Sequence, residues 1–431
     1  MRIMNVHSNR FLQSLCICLA ACAAPALAAT APAPASEPLL TQGNLVYIGG
    51  FRVPQINSTT GATFDVGGDA IGYDAAKNGL YILGDKPFNM SAEISIPTLV
   101  NSTVINSLNT ATIIQPFATP LEGKLQEINP TDPNPKYIGG QFVYDGKLIV
   151  AAYSYYDGAI TQSSSHFVRP LNLSTTGQVQ GPFRVGTLYP GYVGGYMTDI
   201  PTEWQSQFGG PALTGNCCVP GASWESQGPA VSVFDPATLG VTNPAPSTPL
   251  VGYPLAHALG GGWNTQNPYF NGTTQITGIV FPPGTRSVLF FGRHGTGPFC
   301  YGVGTSNLAL NNQPVPGTKT IYCYDPAQQG DKGTHAYPYV YQVWAYDANN
   351  LLEVKNGSKT PDQIVPYAIW TFHLPFENTG DRHIIGGAAF DPATNRIYIS
   401  QERDDVNFTP VIQVFQVTLT VPSPPTNTTA H

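Results

Sequence analysis

Five stretches of the chain repeat one plan, and this repeat constrains the fold more than any other feature. In each stretch a glycine or a glycine pair opens an apolar strand, a tight turn follows, and a second strand of β-forming residues runs to a polar end. The stretches are 67–86, 139–157, 194–215, 278–294 and 386–404, of which 194–215 fits the plan least well. The plan predicts five antiparallel strand pairs.

Further strand candidates flank these pairs. Apolar segments that end at or near a proline precede the pairs, at 44–54, 112–120, 183–190, 251–259 and 367–375. Other strand candidates follow three of the pairs, at 230–240, 340–354 and 411–419. Four strands per repeat is typical of a β-propeller. Since the chain begins with an outermost-type strand and ends with a third-type strand, the N-terminal strand is predicted to complete the last blade.

The repeats are farther apart than the roughly 40 to 50 residues of common propeller units, so long loops or extra blades must fill the excess. We therefore predict five blades, with six or seven as alternatives. The segments 390–400 (FDPATNRIYIS) and 233–240 (VFDPATLG) resemble the blade turns of secreted β-propeller proteins in general. This resemblance extends over nearly the whole mature chain and implies architecture only, because propellers host many unrelated functions.

Composition agrees with an all-β fold. Charged residues make up only 10% of the chain, whereas it has 45 Gly, 40 Pro and 22 Tyr, which favours strands and turns. The formal net charge of −7 argues against a nucleic-acid partner, because no basic stripe is available for phosphates. We expect a monomer.

The N-terminus is typical of a secretory signal, with Arg2 and Arg10 before an apolar run over 11–28. Cleavage after Ala28 follows an A-x-A-like site, while residues 19–22 resemble a lipobox that would leave Cys22 lipidated. The predicted organisation is therefore a signal peptide over 1–28, a Pro/Ala-rich spacer over 29–42, the propeller over 43–420 and a disordered tail over 421–431. The protein is expected to be secreted or periplasmic, with a lipid-anchored form as the alternative.

Four of the seven cysteines lie outside the signal, an even number suited to an oxidising compartment. Pairing of Cys300 with Cys323 is favoured. The adjacent Cys217 and Cys218 could bridge each other or pair separately with the other two. A metal site is the weaker interpretation, because no His or Cys stands near them at zinc-ligand spacing.

In a propeller, the innermost strand begins on the face where the second strand ends, so the polar ends of the repeats surround one opening, which we call the mouth. Convergent polar and aromatic groups there form the default ligand site. The predicted mouth residues are Asp69, Asp85, Lys86, Tyr155, Tyr156, Asp157, Arg293, His294, Asp381, Arg382, His383, Glu402, Arg403 and Asp404, with His257 and Trp263 from a connecting loop.

Two Arg-His doublets, at 293–294 and 382–383, predict recognition of an acidic glycan. Guanidinium groups bind planar oxyanions through paired donors, so Arg293 and Arg382 would hold an acid group, assisted by Arg403, Tyr155, His257 and Trp263. His294, His383 or Tyr156 would then move a proton, as in a uronate lyase. The alternative is a structural network in which the arginines pair with Asp381, Asp404 or Glu402.

A glycoside hydrolase would instead need two carboxyl groups on either side of the scissile bond. Asp69 and Glu402 are the preferred candidates, with Asp199 and Glu203 as further ones. Asp69 resembles, by position, the inner-strand acids of five-bladed glycosidases.

No G-x-S-x-G elbow, P-loop or H-E-x-x-H motif occurs, and no cofactor or metal is expected. Two functions follow from the sequence. The first is an exported propeller that binds and cleaves an extracellular polysaccharide or oligosaccharide, and the second is a non-catalytic propeller that binds a glycan or a protein.

Overall fold

The computed structural model describes residues 33–56, 61–216, 226–262, 265–377, 382–402 and 409–419. The signal segment, the C-terminal tail, the Cys217-Cys218 pair and the predicted mouth residues Trp263, Asp381, Arg403 and Asp404 lie outside these ranges.

Five four-stranded antiparallel sheets make up most of this part of the chain. The N-terminal strand is β1 (Leu45–Arg52). Sheet 1 contains β2 (Ile71–Asp74), β3 (Gly79–Leu83), β4 (Ser91–Ser95) and β5 (Ile113–Ala118). Sheet 2 contains β6 (Lys136–Tyr144), β7 (Lys147–Ser154), β8 (His166–Pro170) and β9 (Gln180–Phe183). Sheet 3 contains β10 (Met197–Asp199), β11 (Ala212–Gly215), β12 (Val231–Phe234) and β13 (Ser247–Val251).

The remaining strands complete two more large sheets and two small ones. A two-stranded ribbon contains β14 (Ala256–His257) and β15 (Gly261–Gly262). Sheet 4 contains β16 (Gln275–Val280), β17 (Ser287–Gly295), β21 (Tyr339–Asp347) and β22 (Ala368–Phe372). Between β17 and β21 a three-stranded insertion contains β18 (Cys300–Thr305), β19 (Tyr322–Tyr324) and β20 (Lys332–His335). Sheet 5 contains β23 (Ile385–Asp391), β24 (Arg396–Gln401), β25 (Val411–Val417) and β1.

Helices are few and short in the described ranges. The α-helices are α1 (Thr202–Phe208) and α2 (Ala348–Lys355). The 3₁₀ turns are Pro34–Ser36, Gln42–Asn44, Lys86–Phe88, Ile105–Ser107, Lys124–Ile128, Pro190–Val193, Pro236–Thr238, Leu308–Leu310, Pro326–Gln328 and Pro361–Gln363. None of these helices is long and apolar enough to cross a membrane.

The five repeats predicted from the sequence are the first two strands of the five large sheets. The N-terminal strand also pairs as predicted, since β1 runs antiparallel to β25 from Leu45 opposite Val417 to Arg52 opposite Val411. The third repeat departs from the plan because α1, rather than a tight turn, connects β10 to β11. Trp204 and Phe208, four residues apart, bury one face of this helix, and Gly209 ends it in the left-handed conformation.

The inner strands contact one another from sheet to sheet. Strand β6 lies beside β2 and β10, β16 lies beside β10 and β23, and β23 lies beside β2. Glycines make this approach possible: a Cβ at Gly140 would overlap the carbonyl oxygen of Gly195, and one at Gly72 would lie 2.8 Å from the carbonyl oxygen of Gln141. A Cβ at Gly386 would likewise overlap the carbonyl oxygen of Gly68, so close backbone packing between neighbouring sheets explains the glycine of the repeat opening at Gly140 and Gly386.

Five apolar cores separate neighbouring sheets. Along β3, for example, Leu80 and Ile82 pack toward sheet 5, whereas Tyr81 and Leu83 pack toward sheet 2. The largest core lies between sheets 3 and 4 and includes Trp344. Because β3 is covered on both faces, all five of its residues are buried.

The segment predicted as a spacer over 29–42 requires a correction. Leu40 is buried, its backbone N–H donates to Ser287 Oγ at 2.8 Å, and its carbonyl accepts from Tyr367 Oη at 2.9 Å. Glu37 is also buried and accepts from Trp204 Nε1 at 2.9 Å. The packed body therefore begins near residue 34 rather than 43.

The insertion in sheet 4 explains much of the long spacing before the last repeat. It carries the Cys300–Cys323 disulfide, which confirms the favoured pairing. Since β17 ends and β21 begins at the mouth edge of sheet 4, the insertion is anchored beside the mouth.

Candidate functional site

The centre of the mouth contains a lysine between carboxylates from two sheets. Lys86, which follows β3, forms an ion pair with Asp69, which precedes β2. Burial lowers the pKa of Lys86, but the negative charge of Asp69, followed by Tyr153 and Glu402, more than offsets it, so the pKa is raised. Lys86 is therefore positively charged, and its charge interacts with Asp69 of sheet 1 and with Glu402 of sheet 5.

Asp69 is held at the mouth with one oxygen unused. The residue is only 3% exposed, and its Oδ1 contacts Lys86. Its Oδ2 is buried without a hydrogen-bond partner among the described residues. A buried carboxylate oxygen without a donor is costly unless a ligand or water supplies one, so this atom marks a candidate binding position.

The electrostatic surroundings of Asp85 differ from those of Asp69. Burial raises the pKa of Asp85, and the negative charges of Asp65 and Asp69 raise it further. The surroundings of Asp85 therefore disfavour its charged form, while its neighbour Asp69 is paired with a cation. Carboxyl groups whose surroundings differ in this way can serve as acid and base in one reaction.

Tyrosines lie on one side of this cluster. Tyr155 contacts the ring of Tyr156 at 4.4 Å between centroids and that of Tyr137 at 6.1 Å. Burial raises the pKa of Tyr155 to about 12, and the charge of Lys86 acts in the other direction, which places this ring near the lysine. Tyr156 itself is 48% exposed.

The loop that presents Tyr156 is strained and tightly organised. Tyr156 and Ile160 both adopt left-handed backbone conformations, with φ of 61° and 56°, and both side chains are exposed. Such a conformation is rare for an isoleucine and clusters at functional sites. Asp157 holds the loop by accepting from the backbone N–H of Thr161 and Gln162 and from Tyr189 Oη.

The two arginines of the doublets are engaged by protein groups. Arg293 is buried, lies 4.5 Å from the ring centroid of Tyr339 and donates to the carbonyl oxygen of Arg382 at 2.8 Å. Arg382 donates to Asp331 at 2.6 Å and to the carbonyl oxygen of Ala327. Asp331 and Ala327 belong to the insertion, so protein groups anchor both arginines, while Asp381 and Asp404, two of the predicted partners, lie outside the described residues.

A buried aspartate organises the insertion beneath Arg293. Asp325 Oδ2 accepts from Tyr339 Oη at 2.6 Å and contacts His335 Nδ1 at 2.8 Å. Burial would raise the pKa of Asp325, but the hydrogen bonds from His335 and Tyr339 lower it overall. This network was not foreseen, because its residues lie outside the repeats, and it ties the arginines to the fold.

The predicted histidines also have structural partners. His294 contacts Thr274 Oγ1 at 2.9 Å and donates to the backbone of Asn267, on the opposite face of β17 from Arg293. His383 contacts Glu377 Oε1 at 2.8 Å and packs on Tyr341. His257 contacts the carbonyl oxygen of Gln227 at 2.8 Å. These partners are all protein groups that hold the imidazole rings in place.

Buried histidines give a test of pH dependence. Burial lowers the pKa of His166 to about 3 and that of His294 to about 4, whereas the unfolded chain protonates histidine near pH 6.5. Below that pH the unfolded state binds more protons, so the free energy of unfolding should fall with falling pH, by at most about 1.4 kcal/mol per pH unit for each histidine between pH 6.5 and 4.

Urea unfolding at a series of pH values checks this expectation. His166→Gln should flatten the slope by about one histidine's share, whereas replacement of the exposed His373 by glutamine should leave it unchanged. An unchanged slope in His166→Gln would contradict a neutral buried His166.

The further hydrolase candidates lie away from the mouth. Asp199 ends the inner strand β10, at the edge opposite to Asp69. Glu203 belongs to α1 at the same edge and accepts from the backbone N–H of Gly284 at 2.9 Å. Among the described residues no group of three or more His, Cys, Asp or Glu is arranged to hold a metal ion.

Comparisons with known proteins do not assign a family. No family model and no curated protein matches the chain. Solved structures that are similar include the arabinanase Arb43A of Bacillus subtilis, with 9% identity, a TM-score of 0.43 and coverage of 82% of this chain and 95% of that one. An exo-1,5-alpha-L-arabinanase from a bovine ruminal metagenomic library has 10% identity, a TM-score of 0.36 and coverage of 84% and 95%.

A luciferin-regenerating enzyme is similar over 88% of this chain and 96% of its own, with 8% identity and a TM-score of 0.33. All three TM-scores are below 0.5. These likenesses therefore carry no argument about the activity of this chain.

Proposed function

We propose that the chain is an exported five-bladed β-propeller, closed by its N-terminal strand, that binds a glycan at the mouth and hydrolyses it. The observation that carries the proposal is a pair of neighbouring carboxyl groups in different surroundings: Asp69 is paired with Lys86 and has one buried oxygen without a partner among the described residues, whereas burial and nearby negative charges raise the pKa of Asp85.

The propeller part of the proposal is supported by contacts that pass through all five sheets in turn. Each inner strand lies beside the inner strands of two other sheets, and an apolar core separates each neighbouring pair of sheets. Pairing of β1 with β25 supplies the fourth strand of sheet 5 from the opposite end of the chain. Sheets arranged in this way correspond to blades around an axis.

The proposed chemistry assigns one role to each carboxyl group. Asp85 donates a proton to the departing glycosidic oxygen, because its pKa is raised. Asp69, which forms an ion pair with Lys86, acts as the base or nucleophile. Glu402 acts on the same lysine from sheet 5 and is proposed to contact the sugar. The exposed ring of Tyr156 offers a surface on which a sugar can stack.

The lyase alternative has less support, because Arg293 and Arg382 already bind protein groups. His294 and His383 also form hydrogen bonds with protein groups. We therefore propose hydrolysis rather than elimination, without requiring an acidic substrate. Export is proposed from the N-terminal signal pattern together with the Cys300–Cys323 disulfide, which suits an oxidising compartment. Lipidation at Cys22 remains the alternative to cleavage after Ala28.

A polysaccharide panel tests the proposal. The purified mature protein is incubated with neutral and uronate-containing polysaccharides, and reducing ends and absorbance of unsaturated products are followed in parallel. Reducing ends without unsaturated product are expected. Formation of unsaturated product would contradict hydrolysis and indicate a lyase reaction. Absence of both signals with retained glycan binding would favour a non-catalytic propeller.

A further inference from the structure

A second cleft lies on sheet 4, away from the carboxyl groups of the mouth. Its volume is about 840 Å³, enough for a short oligosaccharide segment. It is lined by the connection before β16, the end of β17, and residues of β21 and β22, the last two contributing Gln342 and Thr371.

None of the side chains that line the cleft carries a permanent charge. The one titratable imidazole, that of His294, is bonded to Thr274 and to the backbone of Asn267, and burial lowers its pKa to about 4. The cleft is therefore neutral at physiological pH. An anionic or cationic ligand would lose its hydration there without a counter-charge, so the lining selects against ions.

A buried amide donor in this cleft has no partner. Gln342 on β21 is only 3% exposed, and its Nε2 makes no hydrogen bond within the part of the chain that the structure describes. Buried side-chain amides are normally satisfied, and one that lines a cleft is explained if a ligand accepts from it.

The other groups fit the same kind of ligand. Tyr269 and Tyr367 contribute rings, Pro268 and Pro366 contribute apolar surface, and Thr371 and Asn267 contribute a hydroxyl and an amide group. Sugars present apolar C–H faces and many neutral hydroxyls, so this combination is suited to them.

We propose that this cleft is a binding site for a neutral saccharide, separate from the mouth. None of the mouth carboxyl groups lines this cleft, so the site goes beyond the function proposed above. It would hold a glycan at the side of sheet 4 whether or not the mouth cleaves it.

Two variants test the site. Thr371 is exposed on the outer strand β22, and Thr371→Trp should fill the cleft without disturbing the core. Gln342→Leu keeps the side-chain volume and removes the amide. Thr176→Trp, at an exposed position in the loop between β8 and β9, is the matched control.

Binding is measured by isothermal titration calorimetry with cellohexaose, xylohexaose, mannohexaose, maltohexaose and a charged galacturonate hexamer. For at least one neutral hexamer, Thr371→Trp should weaken binding tenfold or more or remove one site from the stoichiometry, and Gln342→Leu should weaken it about fivefold. Thr176→Trp should bind like the wild type, and the galacturonate hexamer should show no binding that Thr371→Trp removes.

Two results would overturn the proposal: no neutral hexamer binds the wild-type protein, or Thr371→Trp binds every hexamer with unchanged affinity and stoichiometry. If a thermal melt shows that Gln342→Leu does not fold, the surface variant Thr371→Trp still tests whether the cleft binds saccharide. Saccharide binding that Thr371→Trp abolishes would stand even if the protein released no reducing ends, so failure here and failure of the proposed hydrolysis are distinguishable.

Discussion

Replacing Asp69 by asparagine is expected to lower the rate of glycan cleavage by about 10³-fold, within the range that a positioned acid or base supplies. The change keeps the size of the side chain but removes the negative charge that pairs with Lys86. Release of reducing ends from the best substrate in the panel measures the effect, and a thermal melt checks that the variant remains folded.

Asp145→Asn is the matched control, because Asp145 is an exposed turn residue between β6 and β7 at the opposite edge of its sheet. It should cleave at the wild-type rate. A folded Asp69→Asn that retains more than a tenth of wild-type activity would rule out Asp69 as base or nucleophile.

Asp85→Asn separates the two roles at the mouth. Loss of the proton donor should slow cleavage of polysaccharide strongly, but should slow cleavage of a 4-nitrophenyl glycoside far less, because that leaving group needs little protonation. Equal losses on both substrates would remove Asp85 from the acid role.

Gly140→Ala is expected to lower the free energy of unfolding by about 3 kcal/mol or more, enough to reduce the yield of folded protein. A Cβ at this position on β6 would overlap the carbonyl oxygen of Gly195 in the neighbouring sheet, and backbone atoms cannot rotate away as a side chain can. Urea unfolding followed by far-UV circular dichroism measures the loss.

Gly333→Ala serves as the control, since Gly333 lies on β20, a Cβ added there would meet no atom within 4 Å, and its backbone does not use the left-handed region. Its stability should stay within about 0.5 kcal/mol of the wild type. Similar stability of the two alanine variants would show that the inner strands do not pack as closely as the structure has them.

The sequence predicted much of the fold because the repeat is local. Strand pairs, tight turns and opening glycines each depend on residues within about twenty positions of one another, and these features are readable without the tertiary structure. The pairing of β1 with β25 was also predictable, because it follows from the order in which strand types occur along the chain.

The candidate site was predictable in location but not in its contacts. Asp69, Asp85, Lys86 and Glu402 were placed at the mouth by their positions at strand ends, which the strand order fixes. The partners of the arginines were not predictable, since Arg382 pairs with Asp331, 51 residues earlier, across an insertion whose path the repeat does not specify.

By itself, then, the sequence predicted the strand pairs, the use of the N-terminal strand in sheet 5 and Cys300–Cys323 as the favoured of several cysteine pairings, and it proposed a set of residues for the mouth. Only the tertiary structure decided which charges are already paired, that His294 faces a side cleft rather than the mouth, and that α1 replaces a turn in the third repeat. The physical reason is that hydrophobic periodicity acts over a few residues, whereas the burial and pairing of a polar group depend on atoms brought from distant parts of the chain.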